Sequence, residues 1–241
     1  MKMKNLLWQS ILPSVLCCTF LQASSPARPN LASVNTISEA NYSSDLASDG
    51  FYTWSPNKFP LKVHFAKNVN IPGFKLANVD LLKNCFDEWS RASDGRISWV
   101  ETQNANDADI DVVWSNRAVE ASRGTEAGNT RNYARYNPET NWGEIDHSKM
   151  RLLTRLPERE FTSVETKKAY LHEVGHALGI AGHSADPDDI MYFSVSNHKR
   201  INLSFKDIGT LHFLYENKNS NSDSISNASI YTDRASSVHR P

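Results

Sequence analysis

His172-Glu173-Val174-Gly175-His176-Ala177-Leu178-Gly179-Ile180-Ala181-Gly182-His183 is the stretch that decides how this 241-residue chain is read. Residues four apart on a helix stand one turn apart on the same face, so His172 and His176 can grip one metal ion between them. Imidazole nitrogens at this spacing suit Zn²⁺, which they hold at ~2.0–2.1 Å. Glu173 follows the first histidine, where its carboxylate reaches past the metal toward a bound water. Tyr170, Leu171, Val174, Ala177 and Leu178 make the remaining face, which packs into the core and holds the ligand face rigid. Gly179 is a natural helix stop that lets the chain turn back. A third histidine, His183, comes just after that turn. Three protein nitrogens with a fourth position left open is the layout of a catalytic zinc rather than a closed structural one.

The third ligand has competitors. Asp186, Asp188 and Asp189 lie further along the same loop, and a carboxylate oxygen also binds zinc at ~2.0–2.2 Å. His198 is further away again, beside Lys199 and Arg200. His183 is the expected ligand, with Gly182 the residue best able to take unusual backbone angles in the turn.

The segment resembles the zinc-binding motif of the metzincins, H-E-x-x-H-x-x-G-x-x-H followed by a Met-turn. Asp188-Asp189-Ile190-Met191-Tyr192 supplies the Met-turn, with Met191 as the hydrophobic floor beneath the metal. Within that clan, His176-Ala177-Leu178-Gly179, His183-Ser184 and Ile190-Met191-Tyr192 look most like matrixins, the matrix-metalloproteinase family. Phe86-Asp87-Glu88-Trp89, Ala108-Asp109-Ile110-Asp111-Val112 and Leu203-Ser204 through Asp207-Ile208 are similar to matrixin catalytic domains in order and spacing. There are departures. Three residues, not two, separate Gly179 from the third histidine. Residues 24–50 carry no cysteine-bearing latency motif, and the loop before Gly143 lacks the His and Asp pattern of a second, structural zinc. His147 is a leftover ligand there or, more simply, a surface or edge-strand histidine.

Around the motif the chain divides into four parts. Met1–Ala23 reads as a signal peptide: Lys2 and Lys4 are the positive region, Leu6–Leu21 the apolar stretch, and Leu21-Gln22-Ala23 the cleavage site. A membrane anchor is the alternative, but the apolar stretch is short for a span. Residues 24–50, rich in Ser, Ala and Asn, read as a short pro-segment or linker. Residues 51–217 form the catalytic domain, and residues 218–241 a disordered polar tail. If the pro-segment confers latency, a carboxylate blocks the metal, with Asp45 or Asp49 ahead of Glu39.

Within the domain, Leu61–Phe65 alternates as a half-buried strand, and Leu76–Ser93 carries apolar residues at helical spacing. Ile97–Val100, Ala108–Trp114, Thr130–Tyr136 and Glu144–Leu153 read as further strands, with a loop over residues 115–128. Helices are expected over Ser163–Gly179 and Phe205–Glu216, and Thr162 with Glu165 and Ser204 with Asp207 fit capping-box spacing at their starts. The result is an α/β domain of the α+β type. The resemblance implies the metzincin zinc-protease fold: a twisted mixed sheet packed on helices, with a zinc-binding active-site helix, a Met-turn and a C-terminal helix.

Composition excludes other classes. Lys and Arg number 26 against 27 Asp and Glu, for a net charge of −1. No cationic excess is available to neutralise phosphates, so nucleic acid is not the expected partner. No membrane span is expected once the signal is removed. Of three cysteines, Cys17 and Cys18 leave with the signal, and Cys85 sits in an apolar helix as a small hydrophobe.

The resemblance implies a secreted (extracellular or periplasmic), monomeric, zinc-dependent endopeptidase that hydrolyses peptide bonds of extracellular proteins. His172, His176 and His183 hold Zn²⁺, and Glu173 activates the zinc-bound water. The substrate peptide lies extended along the edge strand Thr130–Tyr136, with an apolar S1′ pocket including Tyr192, Phe193 and Val195. Structural Ca²⁺ is expected at Asp109, where similar matrixins use a carboxylate, with Asp111, Glu144 and Asp146 as further ligands. The alternatives are a non-catalytic metal-binding module on a protease scaffold and a zinc hydrolase of a non-peptide amide.

Overall fold

The computed structural model of the chain describes residues 40–67, 69–117, 120–121, 124–125, 127–194, 200–217 and 230–237. The expected signal peptide, residues 24–39 of the expected pro-segment, Val195 and His198 lie outside them.

In chain order the elements are α1 (Ser43–Leu46), β1 (Phe51–Trp54), β2 (Leu61–Phe65), α2 (Leu76–Ala92), β3 (Trp99–Thr102) and β4 (Ile110–Ser115). They continue with β5 (Glu120–Ala121), β6 (Gly124–Thr125), β7 (Gly128–Asn137), β8 (Trp142–Leu153), α3 (Ser163–Ala177), α4 (Phe205–Asn217) and β9 (Ile230–Ser237). The main sheet runs β3-β2-β4-β8-β7-β9, and β1 also pairs with β8. Pairing is parallel from β3 through β2 and β4 to β8, and antiparallel between β8 and β7 and between β7 and β9. This is the mixed sheet that the resemblance implies. The helix α2 supplies the crossover that the parallel pair β2 and β3 requires.

The long strand β8 has two partners on one side. Its residues Trp142–Ile145 run parallel to β1, and Ser148–Leu153 run parallel to β4. β1 was not expected. Three of its four residues are buried, so Phe51-Tyr52-Thr53-Trp54 lacks the alternation that marks a half-buried strand. β5 and β6 form a small two-stranded ribbon where a loop was expected.

Residues 40–50, the end of the stretch read as a short pro-segment or linker, pack onto the domain. Tyr42 and Leu46 are in the hydrophobic core. Tyr42 donates its hydroxyl to Asp207 Oδ1 (3.0 Å) and its backbone N–H to Thr210 Oγ1 (3.1 Å), tying the segment to α4. The packed body therefore begins ahead of Phe51.

Part of the expected polar tail lies among the described residues. Residues 230–237 form β9, an added strand on β7. The sequence there is polar and carries no apolar face, but a strand needs only its backbone groups to join an exposed edge.

Two indoles lock α3 into this body. Trp89 Nε1 on α2 donates to the carbonyl of Leu171 (2.9 Å), and Trp54 Nε1 on β1 donates to that of Ala177 (2.8 Å). Residues 169–177 of α3 are all buried. Cys85 is buried in α2, and desolvation pushes its thiol pKa well above the usual value, so it stays a neutral core group.

Candidate active site and metal centre

α3 starts at a capping box. The Thr162 hydroxyl accepts from Glu165 N (3.2 Å), and the Glu165 carboxylate accepts from Thr162 N (2.9 Å). It ends where Gly179 takes φ +113°, and a Cβ there would stand 2.1 Å from the carbonyl oxygen of Tyr52. Only glycine meets both conditions. The turn brings His183 back, so one ligand nitrogen from each of His172, His176 and His183 lies within 4.8 Å of the others. Among the described residues this is the one group of three or more ligating side chains so gathered. Asp186, Asp188, Asp189, Asp45 and Asp49 are not part of it.

The ring nitrogens are assigned by their partners. His172 Nδ1 lies 2.8 Å from the carbonyl oxygen of Ile190, and His176 Nδ1 lies 2.6 Å from that of Ile180. A carbonyl can only accept, so both Nδ1 atoms carry the proton and both Nε2 atoms present bare lone pairs. Those two Nε2 atoms face each other at 2.9 Å. Burial, with the neighbouring His183, pushes the His176 pKa down to about 3, so the ring is neutral. Two buried lone pairs aimed at one point, with a third imidazole beside them, form a donor set that fits a soft-to-borderline cation such as Zn²⁺. The carbonyls that fix the tautomers are the outer partners expected of metal-ligating histidines.

Gly182 is not the residue that takes unusual backbone angles; among the glycines around the turn that role belongs to Gly179. What Gly182 supplies is room. A Cβ there would come within 2.7 Å of Asp49 Oδ2 and 3.0 Å of Leu46 Cδ2.

The loop after His183 is held by carboxylates. Asp189 accepts from the hydroxyls of Ser184 (2.5 Å) and Ser204 (2.6 Å). Asp207 accepts from the backbone N–H groups of Ile190 (2.9 Å), Met191 (3.3 Å) and Ser204 (2.8 Å). Ser204 Oγ accepts in return from Asp207 N (3.0 Å), so the expected capping box at α4 is formed and also anchors the Met-turn. Burial raises the Asp207 pKa against these donors. Met191 is fully buried beneath α3, where a Cβ on Gly175 would be only 2.4 Å from its Sδ.

Glu173 is buried and faces β7. Thr130 Oγ1 donates to its Oε2 at 2.5 Å. Asn132 Nδ2, two residues on, donates to the carbonyl of His176 at 2.7 Å. A Cβ on Gly128 would overlap the Glu173 side chain at 2.6 Å, so β7 can lie this close only with glycine there. Thr130, Asn132 and Gly128 were not singled out from sequence. Their inward alternation along β7 is visible there, but not which helix residue each would meet.

The remaining expected residues fare differently. Phe193 is exposed, Tyr192 is half-buried, and their rings lie 4.3 Å apart between centroids. His147 sits across from Tyr133 on the β7–β8 pair. The carboxylates expected to hold calcium are not among the gathered ligand groups of the described residues. Asp109 pairs with Lys58 Nζ (2.8 Å) and accepts from Lys62 N (2.9 Å). Asp111 meets His64 Nδ1 (2.8 Å), and Arg135 bridges Glu144 (2.9 Å) and Asp146 (3.0 Å). The four carboxylates are shared among three basic side chains instead of converging on one point.

Comparison with the curated proteins finds no match. The family model described as Matrixin matches residues 53–216, a span that runs from β1 through α4 and includes all three histidines, Glu173 and Met191. With its mixed sheet, its histidine cluster and that match, the chain belongs to the matrixin family of zinc metalloproteases.

Proposed function

We propose that the protein is an exported zinc endopeptidase whose general base is Glu173. The observation that carries this reading is the convergence of His172, His176 and His183 beside the buried Glu173 carboxylate. Zinc held by those three imidazoles supplies a Lewis acid that polarises a scissile carbonyl and lowers the pKa of a bound water to ~7. Glu173 takes the proton from the attacking water and passes it to the leaving amine. Thr130 and Asn132 set β7 against α3, so a peptide extended along β7 passes the base at a fixed distance. Tyr192 and Phe193 line the apolar subsite on the far side of the bond cleaved. Residues 1–23 direct export, and the mature enzyme acts as a monomer on extracellular protein substrates.

Digestion of casein or gelatin with and without a chelator tests the reading. Zinc-dependent cleavage at internal bonds is expected. Folded, zinc-loaded protein that cleaves nothing would instead be a binding module or a hydrolase of another amide.

A further inference from the structure

We infer that the C-terminal strand β9 is an intramolecular inhibitor that occupies the substrate-binding edge of β7. The inference rests on the protease reading above and adds regulation of the same site. β9 pairs antiparallel with β7 over eight successive positions, from Asn129 opposite Ser237 to Tyr136 opposite Ile230. The same stretch of β7 carries the side chains that touch the catalytic helix. Thr130, which bonds Glu173, is opposite Ser236, and Asn132, which bonds the His176 carbonyl, is opposite Arg234. The backbone of residues 234–237 therefore runs one strand spacing, ~4.8 Å, from the part of β7 that holds the base.

A sheet edge accepts one strand at a time. A peptide that binds by adding to β7 must first displace β9, because both need the same outward N–H and C=O groups. The two are not equal competitors. β9 follows α4 in the same chain with twelve residues between them, and intramolecular linkage over that length gives an effective concentration on the order of 1 mM. At that concentration a strand with a dissociation constant of ~0.1 mM would leave only about one edge in eleven open. The inhibition is competitive: it raises KM and leaves kcat alone, since Glu173 and the three histidines are untouched. Polar composition suits this role, because a tail that buried a large apolar face would not release.

The test uses the full mature chain carrying Asp233→Pro and Arg234→Pro together. Of two successive strand residues one directs its N–H at the neighbour, so the pair removes at least one ladder bond and excludes proline-intolerant pairing. The variant is expected to cleave a peptide substrate with KM lowered about tenfold and kcat unchanged. Amide exchange at residues 129–136 should quicken in step. A synthetic peptide of residues 228–241 should then inhibit the variant competitively. An active variant with unchanged KM overturns the inference, as does mass spectrometry showing that the enzyme cuts its own tail within residues 230–237, which would make β9 a substrate. Absence of cleavage by both proteins at full zinc occupancy overturns the protease reading itself, and this inference with it.

Discussion

Thr130 Oγ1 donates a 2.5 Å hydrogen bond to Glu173 Oε2, joining strand β7 to the residue beside the first histidine of α3. The same hydroxyl also lies 3.2 Å from the backbone oxygen of Glu173. Thr130 is almost wholly buried, so water does not compete for either contact. The bond fixes which way the carboxylate faces and makes Thr130 a positioning residue for it.

Replacing Thr130 with Val keeps the shape and the β-branching of the side chain but removes the donor. A hydrogen bond to a charged group contributes ~1.5–3 kcal/mol, so kcat should fall tenfold or more. KM and zinc content should hold, because neither the metal ligands nor the strand backbone changes. Thr130→Ser should restore the rate. A Val variant with full kcat, or a Ser variant as slow as Val, would show that the hydroxyl does not position the base.

Gly175 lies in the middle of α3, where glycine is unfavourable to the helix. Its presence is explained by Met191, whose Sδ would be 2.4 Å from a Cβ at this position, with Trp89 at 3.0 Å. Gly175→Ala gains helix propensity yet overpacks the floor beneath the histidines. The net cost should be about 1–3 kcal/mol in a urea melt. A variant as stable as the parent would mean that Met191 has slack to move.

The ligand helix, the capping boxes of α3 and α4 and the succession of the main strands along the chain are legible because each is encoded locally. Thr162 and Glu165 announce a helix start, and alternation along Leu61–Phe65 announces a strand. What is not legible depends on partners distant in sequence. Leu46 is fully buried, but a lone apolar residue in a polar segment carries no period. β9 joins through its backbone, which composition does not report. Asp109 and Asp111 look like hard oxygen ligands until the register brings Lys58 and His64 beside them. At the site, the three histidines and Glu173 follow from one motif, whereas Thr130 and Asn132 require knowing that β7 crosses α3.

Acid should weaken the start of α3. Arg159 beside Glu165, with the Thr162 backbone and hydroxyl, lowers the Glu165 pKa from 4.5 to about 2 against the opposing effect of desolvation. A carboxylate whose folded pKa is depressed stabilises fully above its unfolded pKa and loses that contribution as pH falls through the folded one. The contribution is therefore present at neutral pH, declines below about 4.5 and is gone near 2. Glu165→Gln should melt a few degrees below the parent at pH 6, with the gap closing toward pH 2. High salt should narrow the gap at pH 6, since the Arg159 partner is 44% exposed and screened. A gap that is independent of pH would assign the effect to packing instead.

His183 stands three residues past Gly179 where the family motif has two, so its role as third ligand is the point most open to direct measurement. The structure brings its ring alongside both others, with centroids 5.2 Å from His172 and 5.0 Å from His176. Two of the carboxylates that could replace it are engaged elsewhere. Asp189 takes the hydroxyls of Ser184 and Ser204, and Asp186 pairs with Lys206 at 2.9 Å. His183→Ala should therefore lose most bound zinc and all cleavage. Asp186→Ala, which removes an ion pair to Lys206 and an acceptor for the backbone N–H of Asp188 but no metal ligand, should keep both. Glu173→Ala should separate the two properties: zinc retained, because no ligand is lost, and turnover abolished, because no base remains. Zinc stoichiometry by metal analysis and cleavage of a reporter peptide, measured on the same preparations, distinguish the three patterns. Full zinc occupancy and activity in His183→Ala would move the third ligand to another residue of the loop. Loss of zinc in Glu173→Ala would mean that the carboxylate holds the metal rather than acting on the water.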